Sequence, residues 1–178
     1  MNIKSIIFLF IEFIIWILEI TWLSRIVIGQ YVKLYMIVDI FSRMIVGWEV
    51  WETEDDQLAA ILVEKAIMNE KIKGKTLVLH SDNGGPMKSY TLKAKLEDMG
   101  VMSSFSRPRV SNDNPYLGAF FITFKYRPSY PQGGFKTIAD ARKWVFRFVN
   151  WYNNKHYHRA LKGLNIDHAN HVWSIDIT

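Results

Sequence analysis

The chain has 178 residues, 49% of them hydrophobic and 15% aromatic, with 22 Lys and Arg against 17 Asp and Glu and no cysteine. This is enough for one domain with a real core and too little for two, and it excludes a disordered polypeptide, a disulfide framework and a thiolate metal site. The net charge of +5 is uneven, because residues 1–100 hold 11 basic and 13 acidic groups while residues 101–162 hold 11 and 2.

The N-terminal run from Ile6 to Leu18 is apolar except for Glu12. It falls short of the roughly 20 residues that span a bilayer, and no small-residue cleavage site follows it. A buried strand with an apolar lead-in is the favoured reading over a membrane-associated segment. Residues 14–23 read as that strand, and "KLYMIVDI" (33–40) and "RMIVGWEVWE" (43–52) as two more, joined closely enough for an antiparallel hairpin. Asp55 and Asp56 open a helical pattern through about Ile72, with Leu58, Ile61, Leu62 and Ala66 on one face.

"TLVLH" (76–80) is a short buried-type strand that runs into the loop "SDNGGP". A second amphipathic helix spans about 88–99, carries Leu92, Leu96 and Met99, and stops at Gly100. "VMSSFS" (101–106) is a fifth strand. After the polar loop "RPRVSNDN", Asn114 as N-cap and Pro115 as first residue begin a third helix, which has Gly118 in its first turn. Thr137, with Asp140 three residues on, caps a last long helix whose face holds Trp144, Val145, Phe148, Trp151 and Tyr152. The order β-β-β-α-β-α-β-α-α predicts an α/β domain, with a mixed five-stranded sheet flanked by helices.

Sites in such sheets form at the carboxyl ends of strands, and "VLHSDNGG" puts Asp82 at one. A carboxylate followed by a glycine turn suits a divalent cation held by oxygen ligands. Taken alone, the run reads more readily as an Asx-type turn.

Four segments change that weighting. "KLYMIVDIFSRMIVGWEV", "VLHSDNGGPM", "SFSRPRVSNDNPY" and "FVNWYNNKHYHRAL" together resemble the integrase-type catalytic core of bacterial insertion-sequence transposases, relatives of retroviral integrases. The resemblance runs from about Trp16 to Leu164, in the family's order and spacing. It implies a ribonuclease-H-like fold, antiparallel in its first three strands and then built from βα units. It also implies DNA as substrate, Mg²⁺ (or Mn²⁺) as cofactor, and a triad of two Asp and one Glu. Two metal ions about 3.5–4 Å apart can activate a hydroxyl and stabilise the leaving oxygen in phosphodiester strand transfer.

The triad positions map onto this sequence unevenly. The second aspartate falls on Asp82. The first belongs to a W-x-x-D-x-T pattern that here reads "WILEIT", so Glu19 stands in its place. The third, a glutamate after 35 intervening residues, falls on Gly118. Leu117, Ala119, Phe120 and Phe121 offer no replacement, and Asp113 precedes the helix. The expectation is a degenerate copy: Glu19 and Asp82 in the catalytic and metal-binding places, no ligand at 118, and impaired chemistry. The alternative is a non-catalytic DNA-binding or co-assembling remnant that modulates an intact transposase.

Arg107, Arg109, Lys125 and Arg127 flank the implied active face, and Lys155 and Arg159 continue the basic run. All six read as phosphate contacts in preference to a solvated surface. His156 and His158 are spaced too closely for a helical metal pair. Asp39 in "VDIFSR" reads as a turn-tying residue rather than a ligand, and His80 either as a group tuning the site or as a packed strand histidine. The tail "WSIDIT" (173–178) repeats the pattern of "WILEIT" and contains the aspartate that the first copy lacks. Joining of two element copies explains this more simply than Asp176 folding back to replace Glu19. Asn165 and Ile166 stand where the family usually has Thr-Pro, and no helix-turn-helix segment precedes the core. The expected organisation is an apolar lead-in (1–13), the core (14–164) and a tail (165–178), in a cytoplasmic protein that self-associates or co-assembles with intact transposase.

Overall fold

In the computed structural model the described residues are 13–72, 75–82, 86–105 and 115–156, the side chains of Phe13, Pro86 and residues 115–119 excepted. Five strands, β1 (Phe13–Ser24), β2 (Tyr31–Asp39), β3 (Ile45–Trp51), β4 (Thr76–Ser81) and β5 (Val101–Phe105), form one sheet in the order β3-β2-β1-β4-β5. The pairings β1–β2 and β2–β3 are antiparallel, whereas β1–β4 and β4–β5 are parallel. Among the described residues four α-helices complete it: α1 (Asp56–Asn69), α2 (Tyr90–Asp98), α3 (Pro115–Lys125) and α4 (Ile138–Lys155). The predicted order of elements is the observed one.

The sheet is the middle layer of three, and the two-residue period of its strands sorts side chains between two cores. Trp16 and Leu18 of β1 join Tyr35, Ile37, Leu77 and Leu79 beneath α1 and α2. Ile17 and Leu23 join Val32, Leu34, Met36 and Val38 beneath α3 and α4. Burial on both faces is why these strands read as apolar runs rather than alternating ones. The second core is an aromatic layer in which Phe124 lies 4.7 Å from Phe148 and 4.9 Å from Trp144, and Phe120 lies 5.0 Å from Tyr152, all edge to face. Such pairs add roughly 0.5–1.5 kcal/mol each beyond area burial, so α3 is seated firmly on α4.

Several local signals operate as the sequence suggests. Asp55 caps α1 by accepting from the Gln57 amide, and Thr137 and Asp140 form a reciprocal capping box at α4. Gly100 ends α2 at φ +72°. The Asp39 carboxylate accepts from the amides of Phe41 and Ser42 and from the Ser42 hydroxyl, fixing the β2–β3 turn. Three expectations need correction. Ile61 is 51% exposed, because the buried stripe of α1 is Ala59, Ala60, Leu62, Val63 and Ala66. The helix expected over 88–99 is split, with a 3₁₀ turn at Pro86–Lys88 and α2 starting only after Ser89, whose hydroxyl accepts from the Leu92 amide. The pattern through Ile72 stops at Asn69, and Lys71 takes a left-handed φ of 53°.

The loop between α3 and α4 is pinned to the end of β1. The Phe135 amide donates to the Ser24 carbonyl at 2.9 Å, and the Ile26 amide donates to the Phe135 carbonyl at 3.1 Å. Gly134 sits at φ +84°, and a Cβ there would fall 2.6 Å from the Arg25 carbonyl carbon and oxygen. Gly134→Ala is therefore expected to destabilise the fold by at least ~1–3 kcal/mol, the usual cost of a strained backbone residue. Gly133→Ala, with open space around its Cβ, should leave the melting temperature nearly unchanged. Equal melting temperatures for the two variants would refute this account.

Candidate active site

The site is built by the parallel pairing of the two central strands. Trp16, Ile17 and Leu18 of β1 are in register with Leu79, His80 and Ser81 of β4. One residue further along each chain come Glu19 and Asp82. Residues in register on parallel strands project to the same side, and neighbouring strands lie about 4.8 Å apart. Ile17 faces the α3–α4 side, so Glu19, two residues on, faces it too. β4 ends at Ser81 while β1 continues to Ser24. The Asp82 side is therefore open and its residue exposed, whereas Glu19 is partly buried.

Electrostatics records the proximity. Burial, first, and the Asp82 charge, second, push the Glu19 carboxyl up from 4.5 to about 7. Two carboxylates converging in a half-buried site repel each other, and this arrangement favours either a shared proton or a bound cation.

Position 118 falls in the first turn of α3, and α3 packs on the sheet face from which Glu19 projects, through Phe120 and Phe124. The three positions that the family resemblance singles out thus belong to one face of the sheet. Among the described residues no group of three or more His, Cys, Asp or Glu is placed to hold a metal ion. Among the described residues, the carboxylates brought together here are two, Glu19 and Asp82.

The basic residues divide. Lys125 ends α3 and Lys155 ends α4, both exposed. The Arg127 guanidinium lies over the Trp151 ring, its Cζ 3.5 Å from the ring centroid. His156 stacks on Tyr152 beside it, and burial together with the Arg127 charge lowers its pKa. Arg107, Arg109, Arg159, Asp113, Asn114 and Asp176 lie outside the described residues. His80 bonds the Ser104 hydroxyl on β5 at 3.1 Å, the packed-strand reading. Lys143 and Arg147 escape a motif-based reading; their four-residue spacing on an amphipathic helix is the available signal.

The raised Glu19 pKa fixes a pH dependence for the metal-free protein. Between about pH 4.5 and 7 the folded chain keeps a proton that the unfolded chain has released, so stability falls as pH rises, by about 3 kcal/mol in all. Glu19→Gln should remove this dependence. In chelator-treated buffer its melting temperature is expected to exceed that of the unmodified chain at pH above about 7.5 and to match it near pH 4.5. Parallel stability–pH curves for the two proteins would overturn the assignment.

Comparison with known proteins agrees with the geometry. A model described as "Integrase core domain" matches residues 12–111, and a second model of that description matches residues 99–165. The transposase for insertion sequence element IS904 of Lactococcus lactis subsp. lactis is 31% identical over 125 residues, 70% of this chain and 49% of that protein. The chain spans about half the length of that relative, or less in the case of others. The catalytic core domain of BIV integrase superposes with a TM-score of 0.65 at 15% identity, covering 92% of this chain and 98% of that one. The HTLV-2 integrase catalytic core domain, solved in complex with magnesium, gives 0.57 at 16% identity, covering 88% and 94%. The fold is ribonuclease-H-like, and the chain belongs to the integrase core domain family.

Proposed function

We propose that this chain is the core of a DNA integration or transposition protein, that it binds DNA, and that its phosphodiester chemistry is impaired. The observation that supports this reading is the parallel register of β1 and β4, which ends at Leu18 beside Ser81 with Glu19 and Asp82 next in each chain, together with glycine at position 118 in the first turn of α3. The core extends over residues 14–164, between the apolar lead-in and the tail. It works on DNA in the cytoplasm, and no helix among the described residues is long and apolar enough to cross a membrane.

Glu19 and Asp82 would hold one Mg²⁺ or Mn²⁺, and their mutual repulsion is the electrostatic reason for a divalent charge to settle there. When bound, such an ion supplies Lewis-acid polarisation of a phosphate oxygen. The protein's own contribution is to keep the two carboxylates at fixed register, half-screened from water, with α3 closing one side. A second ion would need a carboxylate from α3, and Gly118 cannot provide it. Glu19 also reaches one methylene further than an aspartate, and displacements of about 1 Å in such sites cost on the order of 10²-fold in rate.

A second reading is favoured by the same glycine. A chain that keeps the fold and the DNA-binding charge but lacks the third carboxylate can co-assemble with an intact transposase and lower its activity. The two readings share DNA binding and differ in whether this chain alone joins DNA ends.

The test compares the unmodified chain with the Glu19→Asp, Gly118→Glu double variant in Mg²⁺- or Mn²⁺-dependent strand transfer. The double variant is expected to be faster by at least about 100-fold; equal rates would sink the claim of impairment. In parallel, Mg²⁺ should raise the melting temperature of the unmodified chain but not that of Asp82→Asn. An identical response of both would remove the carboxylate pair as the cation site.

A further inference from the structure

The loop from Tyr126 to Lys136 and the exposed side of α4 form a groove whose lining does not include the carboxylate pair. One part, about 160 Å³, is lined by Arg127, Ser129, Trp144, Arg147 and Phe148. The adjoining part, about 440 Å³, adds Lys136 and Lys143. The walls are fixed: the Trp144 indole N–H donates to the Ser129 carbonyl at 2.7 Å, and Gly134 and Phe135 tie the loop to β1. We propose that this groove, through Arg127, Lys136, Lys143 and Arg147, binds the phosphate backbone of duplex DNA flanking the site of reaction.

Four observations carry this. The Arg127 guanidinium is held over the Trp151 ring, 3.5 Å from its centroid, and a guanidinium carries a planar fork of N–H donors that matches phosphate oxygens. No described residue accepts a hydrogen bond from the side chain of Arg127, Lys136, Lys143 or Arg147, and none pairs ionically with these four. Lys143 and Arg147 are exposed and one helical turn apart, so both ammonium and guanidinium reach the same rim. The one acidic residue lining the groove, Asp140, is spent locally, accepting from the Thr137 amide and hydroxyl in the α4 capping box.

Position supports the same occupant. The groove-bearing loop joins β1 at the Arg25–Phe135 bridge, six residues beyond Glu19 on the strand. At about 3.3 Å per residue the bridge end of the groove is roughly 20 Å along β1 from Glu19, whereas its Phe148 end packs on Phe120 of α3, on the sheet face that Glu19 occupies. With one phosphate per 3.4 Å along each strand, a duplex whose reacting phosphate lies at Glu19 and Asp82 would bring backbone up to about six base pairs away along this groove. Isolated anions offer no such span.

The inference rests on the DNA-binding reading, and one experiment separates the two. Binding of the full chain to a short duplex of arbitrary sequence is measured in chelator between roughly 50 and 200 mM salt, where counterion release dominates. The Lys143→Gln, Arg147→Gln double variant is expected to bind more weakly and to lower the slope of log affinity against log salt by about 1.8, or 0.9 per lost phosphate contact. A control that removes the same charge from the opposite sheet face, Lys65→Gln with Lys71→Gln, should leave the slope nearly unchanged. If the unmodified chain binds and both variants show its slope, or if both double variants lower it equally, the groove is not the contact. If the unmodified chain shows no salt-dependent binding, the DNA-binding reading falls and the groove with it. Melting temperatures of all three proteins are expected to agree, since the substituted side chains are exposed.

Discussion

The register between β1 and β4 is what brings the two candidate carboxylates together. It is a backbone constraint: parallel hydrogen bonds set Leu18 beside Ser81, and the next residue on each chain is then a carboxylate. A slip of one residue would send Glu19 to the opposite sheet face and Trp16 out of its core. Register and site are therefore stabilised by the same contacts. Trp16, Leu18, Leu77 and Leu79 are each at most 3% exposed in the core under α1 and α2. The cost of holding two like charges together is met by that apolar burial rather than by any interaction between them.

The second face has a different task. Phe120, Phe124, Trp144, Phe148 and Tyr152 form a continuous edge-to-face layer, which fixes α3 against α4 and both against the sheet. Because α3 is anchored by its second and third turns, its first turn is delivered to the site by leverage from the aromatic layer. Among the described side chains, those that seat the helix lie beyond residue 118. On the proposed reading, that separation is why the position could lose its carboxylate without losing the fold. The same layer carries Trp151, on which Arg127 lies, so one packed surface orders both the site and the proposed groove.

Much of this was legible in the chain because the signals were local. Turn chemistry at Asp39, the Thr137–Asp140 capping box and the positive-φ stop at Gly100 each act within a few residues. The five strands stood out as apolar runs because both sheet faces are covered. What could not be read was set by distant partners. Which stripe of α1 is buried, leaving Ile61 out, depends on how closely the helix approaches β3 at Gly47, where an added Cβ would lie 3.2 Å from that of Ala66. The raised Glu19 carboxyl is a property of the pairing of β1 with β4, across more than sixty residues of sequence. The stack of Arg127 on Trp151 likewise joins a loop to the last helix, and no local pattern announces it.

The electrostatics of the site bear on how such a sequence persists. Burial and clustering of carboxylates oppose folding when no cation is bound: Glu19 already sits at about 7, through burial first and the Asp82 charge second. A third carboxylate from α3 would add repulsion within the same half-buried volume. Every tenfold weakening of a carboxyl's acidity on folding would cost the metal-free state about 1.4 kcal/mol. Glycine at 118 gives back part of that gain, since it lowers helix propensity by about 1 kcal/mol relative to alanine. The two effects are opposite in sign. On the proposed reading, replacing the third ligand is therefore partly compensated in the stability of the metal-free fold and severe for chemistry. A core altered in this way stays folded and keeps its basic surface, as co-assembly with an active relative would require.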